Sequence, residues 1–224
     1  AIKARFLKAL SGVLPPPLRQ AILSQNGADA VESAIKTAQM ARPGRPGVVA
    51  FTGSYHGLSY GALSVTWRKD FRRPFTGRVS RNTLFADYPY CYRCPLKLKF
   101  PECGLACLDT AKRRIRNAGG RNRFSAVIVE PIQGRGGEIV PPPGWLAGLA
   151  EFCRLENLPL IADEIYTGFA RTGRIRLHAH HAAAVGRRLR NLGDGERAGV
   201  GGEDSCGRAA LRQLAQRPLL ELQL

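Results

Sequence analysis

The stretch from Ser125 to Gly137, SAVIVEPIQGRGG, joins a continuous apolar run to an acid and a glycine-rich loop. Apolar runs without polar alternation are typical of strands buried on both faces, as in a parallel sheet. A second run of this kind, LPLIAD, ends at Asp163. Ligand sites of open parallel sheets lie beyond the carboxyl ends of the strands, so Glu130 and Asp163 are candidate site residues.

The chain alternates such runs with segments of helical periodicity. The periodicity predicts helices at residues 28–41, 57–65, 108–118 and 145–158. Short apolar runs predict strands at residues 47–51, 83–86, 125–130 and 158–163. Because the two kinds of element alternate, we predict an α/β fold built on a mostly parallel sheet with helices on both faces.

Two further segments bring polar chemistry to the expected edge of this sheet. The strand at 47–51 runs into TGSYHG, which places Tyr55 and His56 after its carboxyl end. Residues 26–28, Asn-Gly-Ala, start the first predicted helix, where unpaired N–H groups and the helix dipole favour an anion such as phosphate. Each feature alone also fits a structural role, as a helix cap or a packed aromatic. Their convergence with the two acids on one edge indicates a binding site.

The composition is that of a globular chain with a strong positive charge. The 224 residues are 44% hydrophobic, and 34 basic against 17 acidic side chains give a net charge of +17. Apolar stretches are far shorter than the roughly 18 residues of a membrane span, so we expect none. Residues 68–123 are the most densely basic region, with 15 basic and 4 acidic side chains, but no run exceeds three residues. A basic nucleic-acid-binding module is therefore the less favoured alternative.

Four segments, in this order, resemble the class III aminotransferases, pyridoxal-phosphate enzymes that include 4-aminobutyrate and ornithine aminotransferases. They are NGADAVESAIKTA, FTGSYHGLSYGALSVT, VIVEPIQGRGG and LIADEIYTGFARTGR. The resemblance implies an incomplete large domain of the fold-type I pyridoxal-phosphate-dependent transferases and a homodimeric active site. It also implies a cytoplasmic enzyme that transfers an amino group from an amino acid or ω-amino acid to a 2-oxo acid.

The resemblance implies two groups of cofactor contacts near the first helix and strand. Gly27 and Ala28 would donate backbone N–H bonds to the phosphate of pyridoxal 5'-phosphate. The family usually has Ser where this chain has Asn26, so the resemblance assigns no cofactor contact to the Asn26 side chain. Tyr55 would stack on the pyridine ring, with His56 beside it.

The resemblance also implies roles for residues that follow the later strands. Asp163 would pair with the pyridine nitrogen and keep it protonated, so that the ring withdraws electrons from the substrate. Glu130 would lie near the substrate and help gate an arginine used for carboxylate recognition. Tyr166 stands where many members have Gln close to the ring oxygen, which leaves its own role open.

The lysine on which the family's chemistry depends is absent. It lies roughly 25 to 30 residues beyond the Asp and forms the Schiff base with the cofactor, whereas the last lysine of this chain is Lys112. We therefore expect this chain to be inactive by itself, and a truncated, inactive product is the alternative reading of the molecule. The first residue is Ala1 and not Met, so we expect a longer reading frame.

The aromatic content of the chain changes after Phe169. The first 169 residues contain all 17 aromatic side chains, and the residues after them contain none. We interpret residues 1–174 as part of the cofactor-binding large domain. We interpret residues 175–224 as a tail outside the family pattern, out of frame or disordered. A real but divergent tail is the alternative.

Four cysteines lie close together, with the spacing C-x2-C-x8-C-x3-C. They are Cys91, Cys94, Cys103 and Cys107. Four thiolates at such spacings are able to bind zinc or an iron–sulfur cluster. The resemblance adds that some 4-aminobutyrate aminotransferases carry an iron–sulfur cluster. Free thiols in an ordered loop are the other interpretation, and both imply a reducing compartment.

Overall fold

A computed structural model describes residues 2–14 and 20–172 of the chain. The strands are β1 (Gly47–Phe51), β2 (Thr83–Ala86), β3 (Phe124–Val129) and β4 (Leu160–Ala162). The longer helices are α1 (Ile2–Val13), α2 (Gly27–Ala41), α3 (Tyr60–Val65), α5 (Ala106–Asn117) and α7 (Trp145–Leu155). Two single turns are α4 (Lys69–Arg72) and α6 (Gly120–Arg123), and 3₁₀ turns lie at Arg73–Phe75 and Cys91–Arg93.

The four strands form one parallel sheet in the order β2-β1-β3-β4. Val49 pairs with Leu84 of β2 on one side and with Val127 of β3 on the other. Ile128 of β3 pairs with Ile161 of β4. All residues of β1, β3 and β4 are buried, as their continuous apolar sequences predict. The predicted parallel α/β fold is confirmed.

Two apolar clusters cover the two faces of this sheet. Successive strand side chains point to opposite faces, and accordingly Val49 and Phe51 belong to one cluster while Val48 and Ala50 belong to the other. Helices α5 and α7 supply the first cluster, which includes the fully buried Trp145. Helices α2 and α3 supply the second. Because both faces are filled, the strand ends remain as the place for polar groups.

Most predicted elements have the expected position, with differences at their ends. The predicted helix at 57–65 is wrong for its first three residues, since the helix begins at Tyr60. Gly57 has a φ of +121°, and a Cβ there would lie 2.7 Å from the Cβ of Ala28. This left-handed backbone is incompatible with a helix and favours glycine. The predicted helix at 145–158 is also too long, because it ends at Leu155.

Three further points concern the N-terminal helix, the tail and the expected absence of a membrane span. The sequence interpretation assigned no element to the segment that forms α1. The tail predicted from residue 175 lies outside the described residues. None of the described helices is long and apolar enough to cross a membrane.

The covered sheet predicts a strong asymmetry between buried and exposed apolar positions. We expect Ile128→Ala, at 0% exposure in β3, to lower the free energy of unfolding by about 2–5 kcal/mol. Leu155→Ala, at 63% exposure in α7, is the matched control and is expected to change it by about 0.5 kcal/mol or less. Urea unfolding followed by circular dichroism measures both. Equal losses would contradict the burial of β3 under α2 and α3.

Candidate active site

The carboxyl ends of three neighbouring strands deliver the predicted acids and the Tyr-His pair to one edge. Tyr55 and His56 follow β1, Glu130 comes directly after β3, and Asp163 comes directly after β4. The hydrogen-bond ladder between β3 and β4 continues one residue past the end of β4, since the backbone N–H of Asp163 donates to the carbonyl of Val129 at 2.8 Å. The backbone of this acid is therefore fixed by the sheet.

A cavity of about 1010 Å³ opens at this edge. Every residue predicted as catalytic or cofactor-binding lines it, and these are Gly27, Ala28, Tyr55, His56, Glu130, Asp163 and Tyr166. They come from four separate segments of the chain. The fold therefore brings the predicted site residues together around one space, while the role of each residue stays a prediction.

The first turn of α2 forms one wall of the cavity. Asn26 is the N-cap, and its Oδ1 accepts the N–H of Asp29 at 3.1 Å. The N–H groups of Gly27 and Ala28 donate to no other described residue. Such unsatisfied N–H groups at the positive end of a 15-residue helix suit an anion. The Asn26 side chain thus caps the start of α2.

A buried histidine and carboxylate meet on another side of the cavity. His56 Nδ1 lies 2.7 Å from Asp163 Oδ2, and the other oxygen, Oδ1, accepts the N–H of Ile165 at 3.2 Å. The backbone N–H of His56 donates to the Thr66 hydroxyl at 2.9 Å, and this bond holds the loop after β1 in place. Each carboxylate oxygen keeps acceptor capacity for a further donor. His56 Nε2 is buried and has no hydrogen-bond partner among the described residues.

Glu130 joins two loops that border the cavity. One carboxylate oxygen accepts the Tyr55 N–H at 2.9 Å and the other accepts the Gly134 N–H at 3.2 Å. The Tyr88 hydroxyl donates to the Glu130 carbonyl at 3.0 Å. Burial raises the pKa of the Glu130 carboxyl above its ordinary value, with Asp163 adding to the rise while His56 and the two N–H donors oppose it. The side chain therefore holds the two loops and faces the cavity at the same time.

Aromatic rings and one arginine form a further part of the lining. The Arg135 guanidinium lies over the Tyr55 ring, 4.7 Å from its centroid, and 5.6 Å from the centroid of Phe71. The Tyr55 and Phe71 rings meet edge to face with centroids 6.0 Å apart. Tyr166 is exposed, and its hydroxyl donates to Glu138 Oε1 at 3.2 Å.

Sequence reasoning did not single out Glu32 or Arg135, which also line the cavity. Glu32 Oε1 accepts hydrogen bonds from the Ser59 hydroxyl at 2.8 Å and from the Gly61 N–H at 2.6 Å. It thereby caps the start of α3 from a different helix, a contact that carries no local sequence signal. Arg135 lies in the glycine-rich loop after β3, and its position after a strand end was the available signal.

The four clustered cysteines are free thiols that line one small cavity with Tyr90 and Phe100. Burial and the neighbouring cysteines raise the pKa of the Cys91 and Cys107 thiols. In residues 2–14 and 20–172, no three His, Cys, Asp or Glu side chains are grouped closely enough to hold a metal ion. The four cysteines that the spacing predicted as metal ligands thus line one cavity, but they do not form an assembled set of metal ligands.

The family model described as Aminotransferase class-III matches residues 3–186 of the chain. The chain belongs to this family. The class III aminotransferase resemblance inferred from the four motifs is confirmed. Members of the family use pyridoxal phosphate, and the segments around this cavity are the ones that carry the resemblance.

Individual relatives agree with this membership. The diaminobutyrate–2-oxoglutarate aminotransferase of Rhizobium meliloti is 39% identical over 177 residues, which cover 77% of this chain and 37% of that protein. The 4-aminobutyrate aminotransferase of Mycobacterium leprae is 37% identical over 163 residues, covering 69% and 35%. The crystal structure of an (S)-enantioselective omega-transaminase from Thermomicrobium roseum matches with a TM-score of 0.74 and 30% identity, over 80% of this chain and 41% of that one. This class III chain therefore spans little more than a third of the two curated relatives.

The raised pKa of Glu130 predicts a pH dependence of stability in this aminotransferase chain. Because the folded state binds the Glu130 proton more tightly than the unfolded state, its stabilising contribution is complete below the ordinary value of 4.5 and is lost as pH rises toward the folded pKa. Glu130→Gln removes this titration. We expect the stability of wild type relative to Glu130→Gln to fall as pH increases from about 4 to 7.

Urea unfolding at a series of pH values measures this difference. The amide replaces one of the two acceptor oxygens, so the variant also loses one hydrogen bond at every pH. That constant offset leaves the pH slope as the informative quantity. Glu151→Gln, at an exposed carboxylate whose pKa is lowered by its bond to Arg154, is the control and is expected to give the opposite slope. A Glu130→Gln difference that is constant with pH would contradict the burial effect.

Proposed function

We propose that this chain forms part of the pyridoxal-phosphate site of an aminotransferase. In the whole protein, that site transfers an amino group from an amino acid or ω-amino acid to a 2-oxo acid. The observation that carries the proposal is the arrangement around one cavity, where unpaired N–H groups of α2 and the His56–Asp163 pair line the same space. A phosphorylated pyridine requires a site that binds an anion at one end, for the phosphate, and offers a carboxylate at the other end, for the ring nitrogen.

The start of α2 is the proposed phosphate end. Gly27 and Ala28 would donate their free N–H groups to phosphate oxygens, and the helix dipole favours the negative charge. The approach is close, because a Cβ on Gly27 would lie 2.9 Å from Ile165 Cδ1. The absence of a side chain at position 27 thus allows α2 to lie against the loop after β4.

Asp163 is the proposed partner of the pyridine nitrogen. Its buried carboxylate is held by His56 and by the Ile165 N–H, which fix its orientation. A carboxylate held in this way favours a protonated nitrogen. Pyridoxal phosphate, when bound, supplies a pyridinium ring that acts as an electron sink. His56 acts as a positioning residue for Asp163, and Tyr55 provides the aromatic surface for the ring.

The absent lysine limits what the 224-residue chain does alone. Since no lysine follows Lys112, we propose that the chain binds the cofactor noncovalently and does not turn over. We propose that the whole protein is a cytoplasmic homodimer, as the family resemblance implies. We further propose that residues 1–174 form part of its large domain and that most of residues 175–224 lie outside the family pattern, since the family match ends at residue 186.

The proposal predicts measurable cofactor binding that depends on Asp163. We expect pyridoxal phosphate to quench the fluorescence of the wild-type chain, and Asp163→Asn to weaken its affinity about 10-fold to 100-fold, because the variant loses a charge-assisted hydrogen bond. Asp70→Asn, at an exposed carboxylate paired with Arg68, is the matched control and is expected to bind like wild type. Circular dichroism checks that each variant is folded.

Inorganic phosphate, whose binding is measured by calorimetric titration, separates the two ends of the site. Phosphate would occupy the α2 end alone, so we expect its affinity to be equal in wild type and Asp163→Asn. Undiminished pyridoxal phosphate binding by Asp163→Asn would contradict the assignment of this acid. A failure of both ligands to bind the folded wild-type chain would contradict the proposed site.

For the cysteine loop, we propose the free-thiol interpretation over a zinc or iron–sulfur site. Its support is geometric, because no three His, Cys, Asp or Glu side chains of the described residues are grouped closely enough to hold a metal ion. We expect anaerobically purified protein to contain much less than one zinc or iron atom per chain, and no more than a Cys91→Ser/Cys94→Ser variant. Metal analysis by mass spectrometry decides this, and stoichiometric metal lost in the variant would reverse the interpretation.

A further inference from the structure

The loop between β2 and α5 leaves one apolar cluster and returns to it. At the start of the loop, Tyr88 is buried in the cluster that includes Trp145, and Tyr90 packs against it. At the end of the loop, Leu105 packs against the same cluster and Leu108 is buried in it. Both ends are therefore anchored on one face of the sheet, as in a compact surface loop whose ends lie close together.

Two of the clustered cysteines stand at these anchored ends. Cys91 directly follows Tyr90, and Cys103 lies two residues before Leu105. Both line the small cavity described above, whose volume of about 10 Å³ leaves room for about one water molecule. Cys91 is exposed, whereas Cys103 is partly buried. The base of the loop thus places one accessible and one less accessible thiol around a single narrow space.

The electrostatic influence of the thiols on one another agrees with this arrangement. Burial raises the pKa of the Cys91 thiol, and among its cysteine neighbours Cys103 adds more to the rise than Cys94 does. Because such an influence weakens with distance, the order indicates that Cys103 lies nearer to Cys91 than Cys94 does. The anchored ends of the loop and the thiol neighbours therefore select the same pair.

We propose that Cys91 and Cys103 form a redox-active pair, which a low-molecular-weight disulfide such as glutathione disulfide converts to an intramolecular disulfide. This inference goes beyond the proposed function and does not depend on the cofactor. A structural metal site needs several converging ligands, which residues 2–14 and 20–172 do not provide, whereas a disulfide needs only two thiols.

The backbone between the two cysteines is suited to the small movement that a disulfide requires. The two sulfurs of a disulfide lie about 2 Å apart, and the two cysteines are free thiols in the structure. Between Cys91 and Leu105, the described backbone contains a single 3₁₀ turn, Cys91–Arg93, as regular structure. Closing the pair therefore shifts a loop and leaves the sheet and α5 in place.

The reaction is a thiol–disulfide exchange in two steps. The Cys91 thiolate attacks one sulfur of glutathione disulfide, breaks its S–S bond and releases one glutathione thiolate. The Cys103 thiolate then attacks Cys91 Sγ in this mixed disulfide and displaces the second glutathione thiolate. The protein loses two protons and two electrons, and glutathione disulfide becomes two molecules of glutathione. Where glutathione is mostly reduced, the pair stays as two thiols.

Peptide mapping of the 224-residue chain tests the inference. The thiolate is the nucleophile, so the raised pKa of Cys91 slows the exchange, and the chain is brought to equilibrium with glutathione and glutathione disulfide. Remaining thiols are then alkylated, and the chain is digested with trypsin for mass spectrometry. Cleavage after Arg93 and Lys99 places Cys91 in peptide 82–93 and Cys103 in peptide 100–112.

We expect these two peptides to be joined by a disulfide in the folded chain. They should be joined at least about fivefold more often than in the same chain unfolded in urea, because the anchored loop raises the effective concentration of one thiol near the other. Cys153, at 0% exposure, is the internal control and is expected to stay reduced in the folded chain.

Serine variants identify the partner, since peptide 100–112 also contains Cys107. We expect Cys103→Ser to abolish the joined peptides and to leave Cys91 as a mixed disulfide with glutathione. Cys107→Ser is the matched control and is expected to retain them, with circular dichroism to check that both variants are folded. Joined peptides that persist in Cys103→Ser or are lost in Cys107→Ser overturn the pair. Their absence from the folded wild type, or equal amounts in urea, also overturns it.

Discussion

Two carboxylates connect the loops that follow β1, β3 and β4, and the site depends on these connections. Asp163 binds His56 across the width of the sheet, although β3 lies between their strands. Glu130, which follows β3, binds the backbone of Tyr55. Through them, the three loops at this sheet edge are linked to one another. The acids therefore organise the site structurally before any ligand is present, and each also keeps acceptor capacity toward the cavity.

The double covering of the sheet explains why these acids are found where they are. A strand with apolar neighbours on both faces has no room for an unpaired charge along its length, because burying one is costly. The first position where a carboxylate finds donors is just beyond the last strand residue. There, Glu130 and Asp163 meet the N–H groups of loops that turn away from the sheet. Local polarity at the strand ends is thus a consequence of the packing of α2, α3, α5 and α7.

The sequence predicted the sheet well because continuous apolar runs such as GVVAF have few alternative explanations. The strand bounds at 47–51 and 83–86 agree with the structure. It also predicted which strand ends carry site residues, since parallel strands share one carboxyl edge. The start of α3 was missed because its cap, Glu32, comes from another helix. Contacts between residues far apart in the chain leave no periodic pattern in the sequence. The contacts of His56 with Asp163 and of Arg135 with Tyr55 are examples.

The glycine at position 57 couples the two ends of the cavity in a way that no hydrogen bond does. Its missing side chain lets the loop after β1 approach Ala28 so closely that an added Cβ would lie 2.7 Å from another carbon. The loop that carries His56 is therefore in direct contact with the helix that carries the free N–H groups. An added Cβ would also lie 3.1 Å from the Cβ of Ala62, so a larger residue would force the loop, α2 or α3 to shift. The position of His56 relative to the free N–H groups of α2 consequently depends on this close approach, and a single methyl group would be enough to disturb it.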